Sequence, residues 1–260
     1  MSIWEYNDKL PAPYVTREVI HSPICIFCKE PLISLESKSD YRMAPDYSVY
    51  QSCERFVRIC GTCGWWIVEE ISSGCEFTFM AGYMKTSGAA AELRKLSVPD
   101  ISAPLETVRS YLTAKYDSRH QIHPRIFEEV VGSVFRDLGY QSRVTNYSGD
   151  DGIDVILDGP SDQLVGIQVK RYKNSIGVEQ IRSLAGAMVL GGMTKGIFVT
   201  TSSFQSGVSD TADRLRVRGL AVELMDATRF YDALKLAQRT RYRFKDESAT
   251  PFENVTLMPL

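Results

Sequence analysis

The sequence predicts a protein of the α/β class, in which a mixed sheet flanked by helices follows a small cysteine-bearing β domain. In Ile153–Asp158 and in Val165–Lys170, apolar residues alternate with other residues. A period of two is typical of β-strands, whose successive side chains leave on opposite faces. Helical periodicities and further short apolar runs follow, and two CxxC pairs lie nearer the N-terminus. Together these three observations indicate the α/β class with a separate β domain.

Length and composition are those of a soluble globular protein. The 260 residues are 44% hydrophobic and 24% charged, and they suffice for one large domain or two modest ones. The net charge of -2 confines any basic surface to a local patch. No apolar run approaches the roughly 20 residues of a membrane span, and the N-terminus lacks the features of a signal peptide. We therefore expect a cytoplasmic protein without a membrane partner.

The six cysteines are then expected to be thiols or metal ligands rather than disulfides. Cys25 and Cys28 form one CxxC pair, and Cys60 and Cys63 form the other. Two such pairs can supply four thiolates to a tetrahedral Zn²⁺, and the flanking strand patterns resemble those of a zinc ribbon. The alternative is four buried thiols without a metal. The remaining two cysteines lack a CxxC partner and are expected to be small core residues.

The C-terminal half carries the strongest secondary-structure signals. Helices are predicted at 105–116, 124–138, 178–190, 205–217 and 227–237, and strands at 141–146, 153–157, 165–170, 196–200 and 220–224. Antiparallel strands followed by strand–helix alternation predict a mixed sheet covered on both faces.

Four segments are expected in the chain. They are a zinc-ribbon domain at 1–84, a linker and helix at 85–122, the α/β domain at 123–238 and a C-terminal tail at 239–260. Within the first, a turn is expected at Ser72–Gly74, and the linker is expected to begin with a loop and a short helical piece.

Three polar side chains on the two central strands indicate a site. Asp154 stands on one strand, and Gln168 and Lys170 stand on the next. If the two strands pair, a carboxylate, an amide oxygen and an ammonium group converge. Such a patch can hold a hard cation and position a water beside it.

Residues 123–236 resemble the Mrr-like branch of the PD-(D/E)XK nucleases. The resemblance depends on five motifs in order, namely Phe127-Glu128, Leu138-Gly-Tyr140, Asp151-Gly-Ile-Asp154, Gln168-Val-Lys170-Arg-Tyr-Lys173 and Leu184-Ala-Gly186. It implies a restriction-endonuclease-like fold and a metal-dependent cut of a DNA phosphodiester.

The resemblance also implies a role for each site residue. Asp154 matches the metal-binding aspartate, and Gln168 stands where other branches of the superfamily have an acid and where Mrr-like members use glutamine. Lys170 matches the catalytic lysine, and Glu128 matches a helix glutamate that reaches the metal directly or through water. The predicted catalytic cofactor is Mg²⁺.

Simpler interpretations stand beside these roles. Asp154 and Lys170 are alternatively a surface ion pair, and Glu128 is alternatively solvated, with Glu129 on the inward side. Asp151 is either a second acid or only a turn residue.

Four further features near the site have two interpretations each. Arg171 and Lys173 either contact phosphates or are solvated strand-end charges. Ser202 or Ser203 is expected to cap a helix, and Gln180 either faces the site or does not. The basic and aromatic run 239–245 suits a nucleic-acid backbone, although a run that short is more often an edge strand or a solvated extension.

The leading functional hypothesis is a Mg²⁺-dependent DNA endonuclease of restriction or anti-phage type. The zinc ribbon would serve target or partner recognition, and a homodimer would supply the two sites that a double-strand break needs. Partners are then DNA, a second copy of the chain and a partner protein in a defence system. The alternatives are a structure-specific repair nuclease, a non-cleaving DNA- or protein-binding adaptor, and an effector that is silent until a signal arrives.

Overall fold

The computed structural model describes residues 2–7, 14–97, 99–145, 152–158, 163–241 and 256–260. The chain divides into two compact units, Met1–Lys95 with Tyr242–Leu260, and Leu96–Arg241. The division therefore lies beyond the boundary expected at residue 84, and most of the expected tail belongs to the first unit.

The first unit is built mainly of antiparallel strands. Its elements are β1 (Trp4–Glu5), α1 (Arg17–His21), β2 (Leu32–Met43), β3 (Val49–Cys60), β4 (Trp66–Glu76), β5 (Ala81–Ala90), β6 (Glu92–Leu93) and β12 (Met258–Pro259). The five-stranded sheet has the order β12-β5-β4-β3-β2, and β1 pairs with β6.

The turn expected at Ser72–Gly74 is absent, because β4 continues to Glu76. Gly74 lies opposite Tyr83 of β5. A Cβ at Gly74 would lie 2.5 Å from the Tyr83 ring. The glycine therefore leaves room for an aromatic ring on the neighbouring strand, and the chain reverses only after residue 76.

The helical piece expected after Lys85 is also wrong. Ala81–Ala90 is a strand, and its end is buried. A Cβ at Gly88 would lie 3.0 Å from the side chain of Ile20. Small residues let α1 approach this strand closely, and this packing overrides the helix propensity of the alanine run.

The second unit alternates helices and strands. Its elements are α2 (Leu105–Ala114), a 3-10 helix (Tyr116–His120), α3 (Pro124–Asp137), β7 (Gln141–Val144), β8 (Val155–Asp158), β9 (Leu164–Lys170), α4 (Val178–Leu190), β10 (Lys195–Thr200), α5 (Val208–Val217), β11 (Ala221–Met225) and α6 (Ala227–Arg241). These bounds agree with the predicted elements to within four residues, and the largest differences are at the start of α5 and the end of α6.

The second sheet has the order β11-β10-β9-β8-β7. β9, β10 and β11 are parallel, whereas β7, β8 and β9 are antiparallel. One face packs against α4 and α5 around Phe198 and Val222. On the other face, Gly132 of α3 lies against Val155. The predicted mixed sheet with helices on both faces is confirmed.

The segment before α5 differs from the prediction. Gly207 precedes the helix with a φ of 86° and makes no side-chain cap. Ser202 instead donates its hydroxyl to the Asn174 carbonyl at 2.8 Å. The expected helix cap by Ser202 or Ser203 is therefore wrong, because these residues stand in a loop that packs against the segment after β9.

Among the helices of the described residues, none is long and apolar enough to cross a membrane.

Candidate active site and cysteine cluster

Asp154 and Gln168 lie across the β8–β9 pair. Val155 is in register with Ile167, so Asp154, one residue before β8, lies beside the part of β9 that carries Gln168. Asp154 donates its backbone N–H to the Ile167 carbonyl at 2.8 Å. Its Oδ2 accepts a hydrogen bond from the Val169 amide at 2.6 Å. The carboxylate is thus held against β9.

Gln168 has a buried amide oxygen that no group in the described part of the chain satisfies. Its side chain is 4% exposed, and its Oε1 has no hydrogen-bond partner among the described residues. An unsatisfied buried oxygen costs about 1–3 kcal/mol. The turn before β8 passes closely, since a Cβ at Gly152, which has a φ of 89°, would lie 3.1 Å from Gln168 Nε2. The structure therefore keeps an oxygen ligand ready at an energetic cost.

Lys170 lies two residues beyond Gln168 and leaves the same face of β9. Its backbone carbonyl accepts hydrogen bonds from Thr200 Oγ1 at 3.0 Å and from the Thr201 amide at 3.2 Å. Both threonines are fully buried. The end of β10 thus fixes the point at which Lys170 leaves the sheet.

Glu128 is connected to Asp154 through Arg125 and Thr145. Arg125 Nη1 lies 3.1 Å from Glu128 Oε2 and 2.8 Å from the Thr145 carbonyl. The Thr145 amide donates to the Asp154 carbonyl at 2.9 Å. Arg125 therefore ties the first turn of α3 to the strand end that carries the aspartate. Glu129 also pairs with Arg125, at 3.7 Å, but its side chain is 38% exposed against 15% for Glu128.

A group of basic residues surrounds the end of β9. Arg171 donates to the His120 carbonyl, and Arg119 donates to the Thr201 carbonyl at 3.0 Å. The pKa of His120 is lowered by burial and then by Arg119, Lys173 and Arg171. The cations therefore create a positive potential beside Lys170, which favours an anionic ligand.

The second unit matches a known family. Residues 119–234 match a family model described as restriction endonuclease, that of the Mrr catalytic domain. The chain is also 33% identical over 99 residues to the type IV methyl-directed restriction enzyme EcoKMrr of Escherichia coli (strain K12). Residues 119–234 form an Mrr-like restriction endonuclease domain. The alignment with EcoKMrr covers 35% of this chain and only 33% of that relative.

The Mrr-like domain brings the predicted residues together in part. Asp154 lies one residue before β8, beside the part of β9 that carries Gln168, and Lys170 follows Gln168 on the same strand. Glu128 is linked to Asp154 through Arg125 and Thr145. Asp151 lies outside the described residues, as does the part of the run 239–245 after Arg241.

Gln180 does not serve the site of the Mrr-like domain. Its Oε1 accepts the Gly177 backbone N–H at 3.0 Å, which caps the start of α4. Its position three residues after a glycine was the sequence signal for this role.

The sequence patterns did not single out several residues that support the site of the Mrr-like domain. Arg125 and Thr145 anchor α3, and Arg119 and His120 add to the basic surface. Thr200 and Thr201 fix the end of β9 through hydrogen bonds to the Lys170 carbonyl. Only Arg125 gave a signal, because it stands three residues before Glu128 on a predicted helix.

The four CxxC cysteines form one buried cluster. The Sγ atoms of Cys25, Cys28, Cys60 and Cys63 all lie within 4.8 Å of one another. The closest pairs are Cys28 with Cys60 at 3.3 Å and Cys25 with Cys63 at 3.5 Å. In a tetrahedral site with Zn–S bonds of about 2.3 Å, sulfurs are about 3.8 Å apart. The cluster therefore fits a Cys₄ zinc site.

Backbone turns and aromatic rings position the cluster. The Cys63 amide donates to Cys60 Sγ at 3.5 Å, and Gly64 has a φ of 79° that closes the turn. Trp4 Nε1 donates to the Cys63 carbonyl at 2.7 Å, and Trp65 is fully buried beside it. Residues distant in sequence thus support the second CxxC pair.

The thiols differ in acidity. Burial raises the pKa of the Cys63 thiol, whereas hydrogen bonds from Cys25 and the other thiols lower the pKa of Cys60. The surroundings thus favour the thiolate form of Cys60 and disfavour that of Cys63. Because Zn²⁺ ligands must be deprotonated, a bound cation would stabilise the thiolates that burial disfavours.

The donor set around Asp154 also fits a metal, but a harder one. A carboxylate oxygen and the unsatisfied Gln168 Oε1 are the oxygen ligands that Mg²⁺ prefers. The neutral amide brings no charge to such a site. The remaining ligands would then come from substrate phosphate and water, as is usual for Mg²⁺.

Proposed function

We propose that the protein is a Mg²⁺-dependent DNA endonuclease that hydrolyses phosphodiester bonds. The observation that carries the proposal is the buried Gln168 Oε1, which has no hydrogen-bond partner among the described residues and lies on the strand that the Asp154 carboxylate contacts, with Lys170 following on that strand. The Mrr-like domain supplies the reaction class. A divalent cation at Asp154 and Gln168 supplies Lewis acidity for the phosphodiester and for an attacking water.

Each protein group then has a separate task. Asp154, held by the Val169 amide, provides a fixed negative charge for the cation. Lys170 offsets negative charge that builds on the phosphorus oxygens and orients the attacking water. Glu128, held by Arg125, positions water near the site. Because the backbone of Lys170 is fixed by Thr200 and Thr201, little reorganisation is needed at the moment of reaction.

The basic surface next to Lys170 is the proposed contact for the DNA backbone. Arg171 and Lys173 follow the catalytic lysine, and Arg119 and His120 lie against the same strand ends. Contacts to phosphates position a duplex without reading its sequence. Cleavage should therefore weaken as the salt concentration rises.

Restriction or anti-phage defence is the proposed biological role. The name of EcoKMrr makes methylated DNA the first substrate to compare with unmodified DNA. We assign recognition of a target or of a partner protein in a defence system to the zinc-ribbon unit, since the Cys₄ cluster lies outside the Mrr-like domain. A homodimer is proposed for double-strand cleavage, because one site hydrolyses one strand per binding event.

The decisive experiment is a cleavage assay on supercoiled plasmid, methylated and unmethylated, with Mg²⁺ or with a chelator. Lys170→Ala should lower the rate by about 10²–10³. Asp154→Ala should act similarly while DNA binding is retained. Lys195→Ala and Asp158→Ala are matched controls, since both residues are exposed at the opposite ends of their strands.

Other outcomes would select other functions. Full cleavage by Lys170→Ala would contradict the assigned site. Tight DNA binding without cleavage by the wild type under any metal would indicate an adaptor. Preferential cutting of branched DNA over both plasmids would indicate a repair nuclease, and cleavage only in the presence of infected-cell extract would indicate a triggered effector.

A further inference from the structure

The outermost strand of the first unit, β2, has a neighbour on one side only in the described part of the chain. It pairs with β3 and stands at the end of the strand order. From Ile33 to Met43, every side chain that the structure describes is exposed. A long exposed edge strand is a template for pairing with another strand.

The backbone of β2 presents a defined set of groups at this edge. Ala44 donates its N–H to the Val49 carbonyl at 2.8 Å, so the backbone N–H of Ala44 points toward β3. The direction of backbone N–H and C=O groups alternates along an antiparallel strand, so these groups of Lys38, Asp40 and Arg42 also point toward β3. Ser39 and its odd-numbered neighbours therefore direct N–H and C=O groups outward.

The side chains on one face of this edge carry alternating charges. Lys38, Asp40 and Arg42 leave the same face, because they are two residues apart. Asp40 and Arg42 lie 3.7 Å apart, with side chains 71% and 82% exposed. Charges of one sign would repel a second copy of the edge, whereas alternating charges can match one.

We propose that β2 pairs antiparallel with β2 of a second copy, about a two-fold axis through Ser39. Lys38 then lies opposite Asp40 of the second copy, and Asp40 lies opposite its Lys38. In this register Ser39 forms the central hydrogen-bonded pair. The charged residues occupy non-hydrogen-bonded pairs, in which opposing side chains approach most closely.

The charges also exclude the adjacent registers. Moving the two-fold axis by one residue toward the N-terminus sets Lys38 opposite Lys38, and moving it the other way sets Asp40 opposite Asp40. Like charges directly opposite each other are destabilising. Only the register centred on Ser39 pairs both charges favourably, so the strand specifies its own alignment.

The opposite face of the edge gains from the same pairing. Tyr41 and Met43 are 70% and 43% exposed. In this register Tyr41 lies opposite Ser37, a small residue that leaves room for the ring. Aromatic residues and methionine are enriched in protein interfaces. The balanced charge favours a second copy over nucleic acid, which requires a basic surface.

This surface would be the contact of the homodimer, and its role in cleavage rests on the proposed function. The test therefore measures association of the full chain by sedimentation equilibrium over a concentration series, without DNA or Mg²⁺. Asp154→Ala should sediment like the wild type. A failure of the nuclease assignment would leave this result unchanged, so the two proposals can be told apart.

Charge-reversal variants of Lys38 and Asp40 test the proposed register most directly. Lys38→Asp sets two aspartates against two aspartates in the dimer, and Asp40→Lys sets lysines against lysines. Each should weaken dimerisation by about tenfold or more. The double variant Lys38→Asp with Asp40→Lys should restore it, and so should a mixture of the two single variants, since the mixed pair is complementary.

A backbone variant tests the hydrogen bonds. Ser39→Pro removes an outward N–H without removing a bond to β3, and should also weaken the dimer. Retained cysteine-bound zinc and an unchanged circular dichroism spectrum verify the fold of each variant. A wild type that is monomeric at all concentrations would overturn the proposal, and so would a dimer that neither charge reversal weakens.

Discussion

The carboxylate of Asp154 accepts the backbone N–H of Val169, 2.6 Å from its Oδ2. The bond joins β8 to the strand that carries Gln168 and Lys170. The side chain of Asp154 therefore fixes its own carboxylate against β9, the strand that carries Lys170. Three predictions concern the groups around this bond, one concerns the cysteine cluster and one concerns His120.

Gln168→Met should keep or raise the stability of the protein while lowering its cleavage rate. The substitution keeps the side-chain volume similar and removes the buried oxygen that has no partner. The free energy of unfolding without metal should stay the same or rise by about 1 kcal/mol, while cleavage falls at least about 10²-fold. Denaturant unfolding with a chelator and the plasmid assay measure the two effects. A variant that cleaves normally would show that the amide oxygen has no function.

Gln168→Glu is the matched counterpart of that variant. A carboxylate at this position adds a negative charge beside Asp154, so metal-free stability should fall. Half-maximal cleavage should then require less Mg²⁺, because the site offers more charge to the cation. A titration of cleavage rate against Mg²⁺ concentration decides the matter, and an increased Mg²⁺ requirement would contradict the ligand assignment.

Glu128 and Glu129 should differ in their effect on cleavage. Both pair with Arg125, but Glu128 is the less exposed and the closer of the two. Glu128→Gln should lower the cleavage rate by about tenfold to a hundredfold, since outer-shell partners of a metal site typically contribute on this order. Glu129→Gln is its control and should leave the rate near that of the wild type. If Glu129→Gln lowered the cleavage rate more than Glu128→Gln, Glu129 would be the glutamate that faces the site.

The cysteine cluster should hold one Zn²⁺ per chain. Cys60→Ser should lose the metal and lower the Tm of the first unit by roughly 10 °C or more, because a structural zinc site is coupled to folding. Cys53→Ser is the control, since Cys53 is a free cysteine outside the cluster. Elemental analysis and calorimetry provide the measurements. Full zinc loading after Cys60→Ser would contradict the four-cysteine site.

His120 should make the protein less stable in mild acid. Its pKa is lowered by burial and by neighbouring cations, so the unfolded chain binds the proton more readily than the folded one. Stability is therefore complete above the unfolded value of about 6.5 and falls as the pH drops below it. His120→Gln should lose less stability between pH 7 and pH 5. Identical pH profiles for variant and wild type would refute this.

The sequence alone determined most elements of the Mrr-like domain. Alternation of period two placed Gln168 and Lys170 on a strand, which is β9, and helical periodicity placed Glu128 on α3, whereas Asp154 stands one residue before β8. The paired CxxC motifs also identified the four clustered cysteines. These features are local, since residues a few positions apart define them, and local geometry is encoded in local sequence.

The tertiary structure decided what depends on distant partners. The alanine-rich run at Gly88 is a strand because Ile20 packs against it, and Gly74 lies within a strand because Tyr83 stands opposite. Thr200 holds the backbone of Lys170, since β9 and β10 lie side by side. The unsatisfied oxygen of Gln168 exists only once the folded domain excludes water from it. Register and burial arise from segments far apart in the chain, so no local pattern could specify them.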